Sequence, residues 1–140
     1  KFHELIGDDY AEAKKVKRII LCSGKVYFDL LDYQQKNNRT DTAILRLEQL
    51  YPFPMTQLNA QMEKYNQAEL VWVQEEPENM GAWRRMRGKF GYILDGRLPF
   101  FGLYRLASAS PATGSPSMHK KEQREIIEQA FGPIVGYSQV

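Results

Sequence analysis

The stretch Val71-Trp72-Val73-Gln74-Glu75-Glu76-Pro77-Glu78-Asn79-Met80-Gly81-Ala82-Trp83 carries an apolar run directly into two adjacent carboxylates, a proline, a third carboxylate and a tryptophan. It reads either as an acid/base pair at the end of a strand or as the frame of a strand-to-helix turn. Side chains alternate across a strand, so Glu75 and Glu76 point to opposite faces and cannot converge on one substrate atom while extended. Pro77 disfavours helical geometry at Glu76 and keeps that backbone extended. Glu78 and Asn79 then fall where a helix amino terminus favours negative charge and capping groups, with Asn79 the expected N-cap. The turn lies at the carboxyl end of a strand, where open α/β sheets place their ligands. The reading is strand, turn, helix.

Outward from this stretch, short apolar runs alternate with amphipathic ones. Arg18 to Ser23 (RIILCS) is strand-like; in the following KVYFDLLDYQQKNN, Val26, Tyr27, Leu30 and Leu31 share a helical face that Asn37-Asn38 ends. TAILRLEQL suits a buried strand through Ile44, Leu45 and Leu47, and Met55, Leu58, Met62 and Tyr65 follow at helical spacing behind Pro54. Trp83, Met86, Phe90 and Ile93 mark a third helix, LPFFGLYRL a fourth strand, and Ile126, Ile127, Ala130 and Phe131 a last helix closed by Gly132-Pro133. The alternation predicts one α/β domain with an open, mostly parallel sheet and helices on both faces. Residues 1–16 are expected to be an N-terminal extension and 17–140 the α/β domain.

The bulk numbers fit a globular domain: 43% hydrophobic, 26% charged, net charge +2. That charge argues for neither nucleic acid nor membrane as partner, and no apolar run approaches the roughly 20 residues that span a bilayer. Cys22, the one cysteine, sits in an apolar run as a buried thiol would. His3 and His119 have no metal-ligand spacing around them, so no metal is expected. CSGKV lacks the longer glycine-rich loop of a phosphate cradle and reads as a tight turn. Ser108, Ser110, Ser115 and Ser117 lie in a turn-rich connector without a nucleophile elbow. Arg84, Arg85, Arg87 and Lys89 crowd the polar side of the third helix, where a solvated face is the common explanation. No catalytic, cofactor-binding or metal-ligating set emerges. On the residues alone, a stand-alone small-molecule-binding module of the doubly wound type stays open.

Four phrases in order, CSGKVYFDLL, RLEQLYPFP, VWVQEEPENMGAW and ASASPATGSPSMHKKEQ, resemble the C-terminal domain of the thiamin-diphosphate-dependent decarboxylating component of 2-oxoglutarate dehydrogenase. The resemblance runs from about Phe2 to Phe131. EQLYPFP and the GAW segment are also similar to the wider transketolase-like 2-oxo acid dehydrogenases, an alternative family for the same domain. One departure is the order Gly102-Leu103-Tyr104-Arg105, where the family usually has tyrosine and then glycine before the arginine. The resemblance implies a transketolase C-terminal-domain-like fold and a fragment of a longer chain, consistent with the missing initiator methionine. Thiamin diphosphate and magnesium would belong to preceding domains, and no cofactor to this one. The implied partners are those preceding domains, a homodimer partner and the lipoyl-bearing succinyltransferase component. The implied place is the bacterial cytoplasm, or the mitochondrial matrix of a eukaryote. Glu75, Glu76 and Trp83 are then expected at an interdomain surface. Arg46, Arg84, Arg85, Arg87, Lys89 and Arg105 are the first candidates for any regulatory phosphate.

Overall fold

Runs that are apolar at every position, not at alternate ones, belong to strands covered on both sides, and this chain places them so. The computed structural model describes residues 4–65, 68–94, 99–105 and 116–134. In chain order they form β1 (Leu5–Ile6), β2 (Arg18–Cys22), α1 (Val26–Lys36), β3 (Thr42–Leu47), α2 (Met55–Lys64), β4 (Glu69–Pro77), α3 (Trp83–Leu94), β5 (Phe100–Arg105) and α4 (Pro116–Ala130). The sheet order is β1-β3-β2-β4-β5, with β2 to β5 parallel and β1 antiparallel at the edge.

Strand alternation divides the core in two. Ile19, Leu21, Leu45, Leu70, Trp72 and Phe100 pack under α2 and α3, against Leu58, Trp83, Met86 and Phe90. Ile20, Cys22, Ile44, Val71, Val73 and Leu103 pack under α1 and α4, against Val26, Leu30, Ile126 and Ile127. The connections out of β2 and β4 therefore leave on opposite faces, and their strands are neighbours. A crevice opens between them at the carboxyl ends, as such a reversal requires.

Two charged side chains fasten the periphery. Arg18 meets Glu69 at 2.6 Å, and its Nη1 donates to the carbonyl oxygens of Gln129, Ala130 and Gly132 at 2.7–3.1 Å. A guanidinium thus takes the orphan carbonyls that end α4, where positive charge is favoured. Asp8, buried, accepts from the backbone amides of Tyr10, Ala11 and Ile44 and from Gln34 Nε2, all at 2.7–2.8 Å. Through Asp8 and the pairing of Leu5 with Leu47, the segment expected to be an extension adds an edge strand to the sheet. Two paired residues are too few for periodicity to register.

Gly102 exists for Trp83. A Cβ there would lie 2.6 Å from the indole carbons, and the ring packs further against Phe100 and Tyr104. Gly102→Ala should therefore cost about 1–3 kcal/mol by overpacking, read as a lower urea midpoint at unchanged slope. Combined with Trp83→Leu it should cost less than the sum of the two single changes, because one clash is removed by the other substitution.

Candidate functional site

The carboxyl end of β4 is built around one side-chain amide. Gln74 sits on the same face as Trp72, and its Oε1 accepts from Trp72 Nε1 at 2.8 Å and from the Trp83 backbone amide at 2.9 Å. Its Nε2 is shared among the carbonyl oxygens of Glu76, Pro77 and Met80 at 2.7–3.1 Å. Two donors facing the oxygen and three acceptors facing the nitrogen leave only this orientation of the amide. Gly81, at φ +67°, lets the chain pass so close that a Cβ would fall 2.9 Å from Gln74 Oε1.

The expected cap is corrected here. Asn79 is exposed in the turn and α3 begins at Trp83, so Asn79 is too early to serve it. Ala82 has no side-chain oxygen to offer, although its carbonyl accepts the first helical bond from Met86. Gln74 reaches across from the strand and takes the Trp83 amide instead. Trp83 is corrected too: it is completely buried within the domain and faces no neighbour.

Glu75 and Glu76 separate as strand geometry demands. Glu75 turns toward α4 and accepts from Gln123 Nε2 at 2.9 Å, which also donates to Asp29. Glu76 is exposed on the other side, lining a crevice of about 280 Å3 with Ser23, Gly24, Gln74, Gly81 and Arg85. The six cationic candidates do not converge. Arg46 and Arg105 lie on the face covered by α1 and α4, while Arg84, Arg85, Arg87 and Lys89 lie on α3 across the sheet. Arg46 is stacked against Tyr27 and Phe28 at 5.1 and 5.0 Å and is 3.6 Å from Glu48. Arg105 donates to Gln123 Oε1 at 2.7 Å and neighbours Glu122 at 3.8 Å. Arg84 approaches Glu78 at 3.8 Å, and Lys89 lies over Phe53 at 4.8 Å. Tyr104, at the position where the sequence departs from the family order, donates to Glu78 Oε2 at 2.9 Å. His3, Ser108, Ser110 and Ser115 lie outside the described residues.

Glu76 is the one carboxylate lining the crevice, and Arg85 is its cationic counterpart. Among the described residues no group of three His, Cys, Asp or Glu is placed to hold a metal. None of their helices is long and apolar enough to cross a membrane. Gln74, Gly81, Asp8 and Gln123 carry the local architecture, and none stands out in the sequence as a site. The available signal was Gln74 itself, the first polar residue after the run LVWV and on the Trp72 face.

The fold and its carboxyl-end crevice define an α/β domain of the doubly wound class, with an antiparallel strand added at one edge. A sequence profile described as 2-oxoglutarate dehydrogenase C-terminal matches residues 1–131. The chain belongs to that family. It is 43% identical over 142 residues to the 2-oxoglutarate dehydrogenase E1 component of Cupriavidus necator, and 44% over 132 residues to that of Haemophilus influenzae. The Azotobacter vinelandii protein of the same name is 43% identical over 137 residues. These alignments cover 93–96% of this chain and 14% of each relative.

Two outcomes check the site. Gln74→Leu leaves the Trp72 indole and Trp83 amide without this acceptor and takes a donor from three carbonyls, of which Pro77 keeps the Met80 amide at 3.0 Å, and should cost about 3 kcal/mol in chemical unfolding. In Gln74→Glu a carboxylate faces three carbonyl oxygens, which raises its folded pKa above the unfolded value of about 4.3. Its stability is then greatest below that value and falls as pH rises through the folded pKa, so the deficit against wild type should be smaller at pH 4 than at pH 7. Burial pushes the Cys22 thiol up to about 12, against a smaller opposing pull from Arg46. Native protein should therefore resist thiol reagents at pH 8 and react on unfolding. The neutral thiol's contribution should be lost as pH climbs from about 9 toward about 12.

Proposed function

We propose that the chain serves as the carboxyl-terminal domain of a 2-oxoglutarate dehydrogenase E1 component, a longer enzyme that decarboxylates 2-oxoglutarate. In this reading thiamin diphosphate and magnesium are held by preceding domains and supply the carbanion chemistry there. This domain packs on those domains, supports a homodimer and helps shape the active-site entrance, in a transketolase-like arrangement. The family match across residues 1–131 carries the reading. The carboxyl edge supports it, because Gln74, the buried polar side chain lining the crevice, is engaged in holding the turn together. The lipoyl-bearing succinyltransferase would be the acceptor of the parent enzyme's product. The bacterial origin of the three relatives favours a cytoplasmic setting. For a regulatory phosphate, Arg84, Arg85 and Arg87 are the stronger candidates, being exposed. Arg46 and Arg105 are already held by internal contacts.

The test is turnover. The full-length enzyme should release carbon dioxide from 2-oxoglutarate with thiamin diphosphate and magnesium, and the 140 residues alone should release none. Turnover by the isolated chain would overturn the proposal, as would a full-length enzyme inactive on 2-oxoglutarate but active on another 2-oxo acid.

A further inference from the structure

We propose that the carboxyl edge of the sheet is a docking face, covered in the intact enzyme by the polypeptide that precedes β1. The proposal rests on the reading of this chain as one domain of a longer E1 polypeptide, and adds to it which face is buried and by what. Among the described residues the large apolar side chains left exposed are Phe28, Tyr51, Met80 and Met118, at 57%, 88%, 57% and 46%. Single exposed apolar residues are ordinary on any surface. These four come from four different segments and collect at one edge. Phe28 is in the first turn of α1, Tyr51 in the β3–α2 connection, Met80 in the β4–α3 turn and Met118 in the first turn of α4. All four positions follow the carboxyl end of a parallel strand. The segment leading into the amino end of β2 presents Glu12, Lys14, Lys15 and Lys17 to solvent instead.

The exposed groups sit on fixed backbone, which lowers the ordering cost of an interface. Gln49 Nε2 donates to the Pro52 carbonyl at 2.8 Å beside Tyr51, and Phe53 packs edge-on to Phe90. The Met80 carbonyl is held by Gln74 at 2.7 Å, and Phe28 lies against the Arg46 guanidinium.

The path of the chain selects the occupant. Because β1 runs antiparallel to β3, with Leu5 opposite Leu47 and Ile6 opposite Arg46, the polypeptide enters at the carboxyl edge. The Glu4 carbonyl accepts from the amides of Glu48 and Gln49 at 2.9 and 3.2 Å, two residues from Tyr51. The described chain leaves at the other edge, where Arg18 holds the Gly132 carbonyl. Preceding polypeptide therefore enters at the edge that carries these side chains, close in sequence to Tyr51, and the relatives are long enough to supply it, since this chain spans 14% of their length.

The experiment is site-resolved alkylation of the full-length enzyme carrying Tyr51→Cys, Met80→Cys or, as the control at the charged edge, Lys14→Cys, with modified peptides quantified by mass spectrometry. Tyr51→Cys and Met80→Cys should react at least tenfold more slowly than Lys14→Cys at every enzyme concentration. Equal rates would overturn the proposal. Protection lost on dilution to the monomer would also overturn it, by making a second copy the occupant. A native polypeptide of only 16.3 kDa would remove the longer-chain reading itself, and that outcome is read from the intact mass before any labelling.

Discussion

The architecture of the carboxyl edge depends on one buried amide. Gln74 joins strand β4, the turn behind it and the start of α3, by accepting from two tryptophans and donating to three carbonyls. Buried polar groups stabilise a unique arrangement only when every partner is present. Here four of the five partners are backbone atoms, so the turn has little freedom to take another shape. Gly81 and Gly102 follow from it, the first because the chain passes against the Gln74 side chain, the second because Trp83 is drawn in over β5.

The two ends of the sheet are finished differently. At the amino end, polar groups close on one another: Arg18 with Glu69 and the end of α4, and Arg39 with Asp41 at 3.0 Å. At the carboxyl end, Gln74 and Gln123 tie the turns internally, yet apolar side chains are left outside. The chain belongs to the 2-oxoglutarate dehydrogenase C-terminal family, and exposed apolar groups that follow the carboxyl ends of the strands suit the packing on a larger body proposed above.

Much of this was legible from residues. The runs RIILCS, TAILRL and ELVWV became the central strands because a strand covered on both faces must be apolar at consecutive positions. Glu75 and Glu76 parted to opposite faces because the strand continues through Pro77. Periodicity also placed Trp83, Met86 and Phe90 along one buried helical face. Asn79 misled because a capping residue was sought in the neighbouring sequence, while the cap came from Gln74 across the turn. Trp83 misled because a tryptophan at the head of a helix looks alike whether its ring meets the core or a partner. The cationic candidates were named side by side because sequence does not say which face Arg46, Arg105 and the α3 cluster each occupy.

By itself, then, the sequence determined the order of strands and helices, the parallel sheet with helices on both sides, and the family, since these rest on local periodicity and on phrases that survive in order. The tertiary structure alone decided the role of Gln74, the edge strand at Leu5–Ile6, the division of the arginines between faces and the gathering of Phe28, Tyr51, Met80 and Met118 at one edge. Each of these joins residues distant in the chain, and no local pattern encodes which distant backbone a side chain will meet.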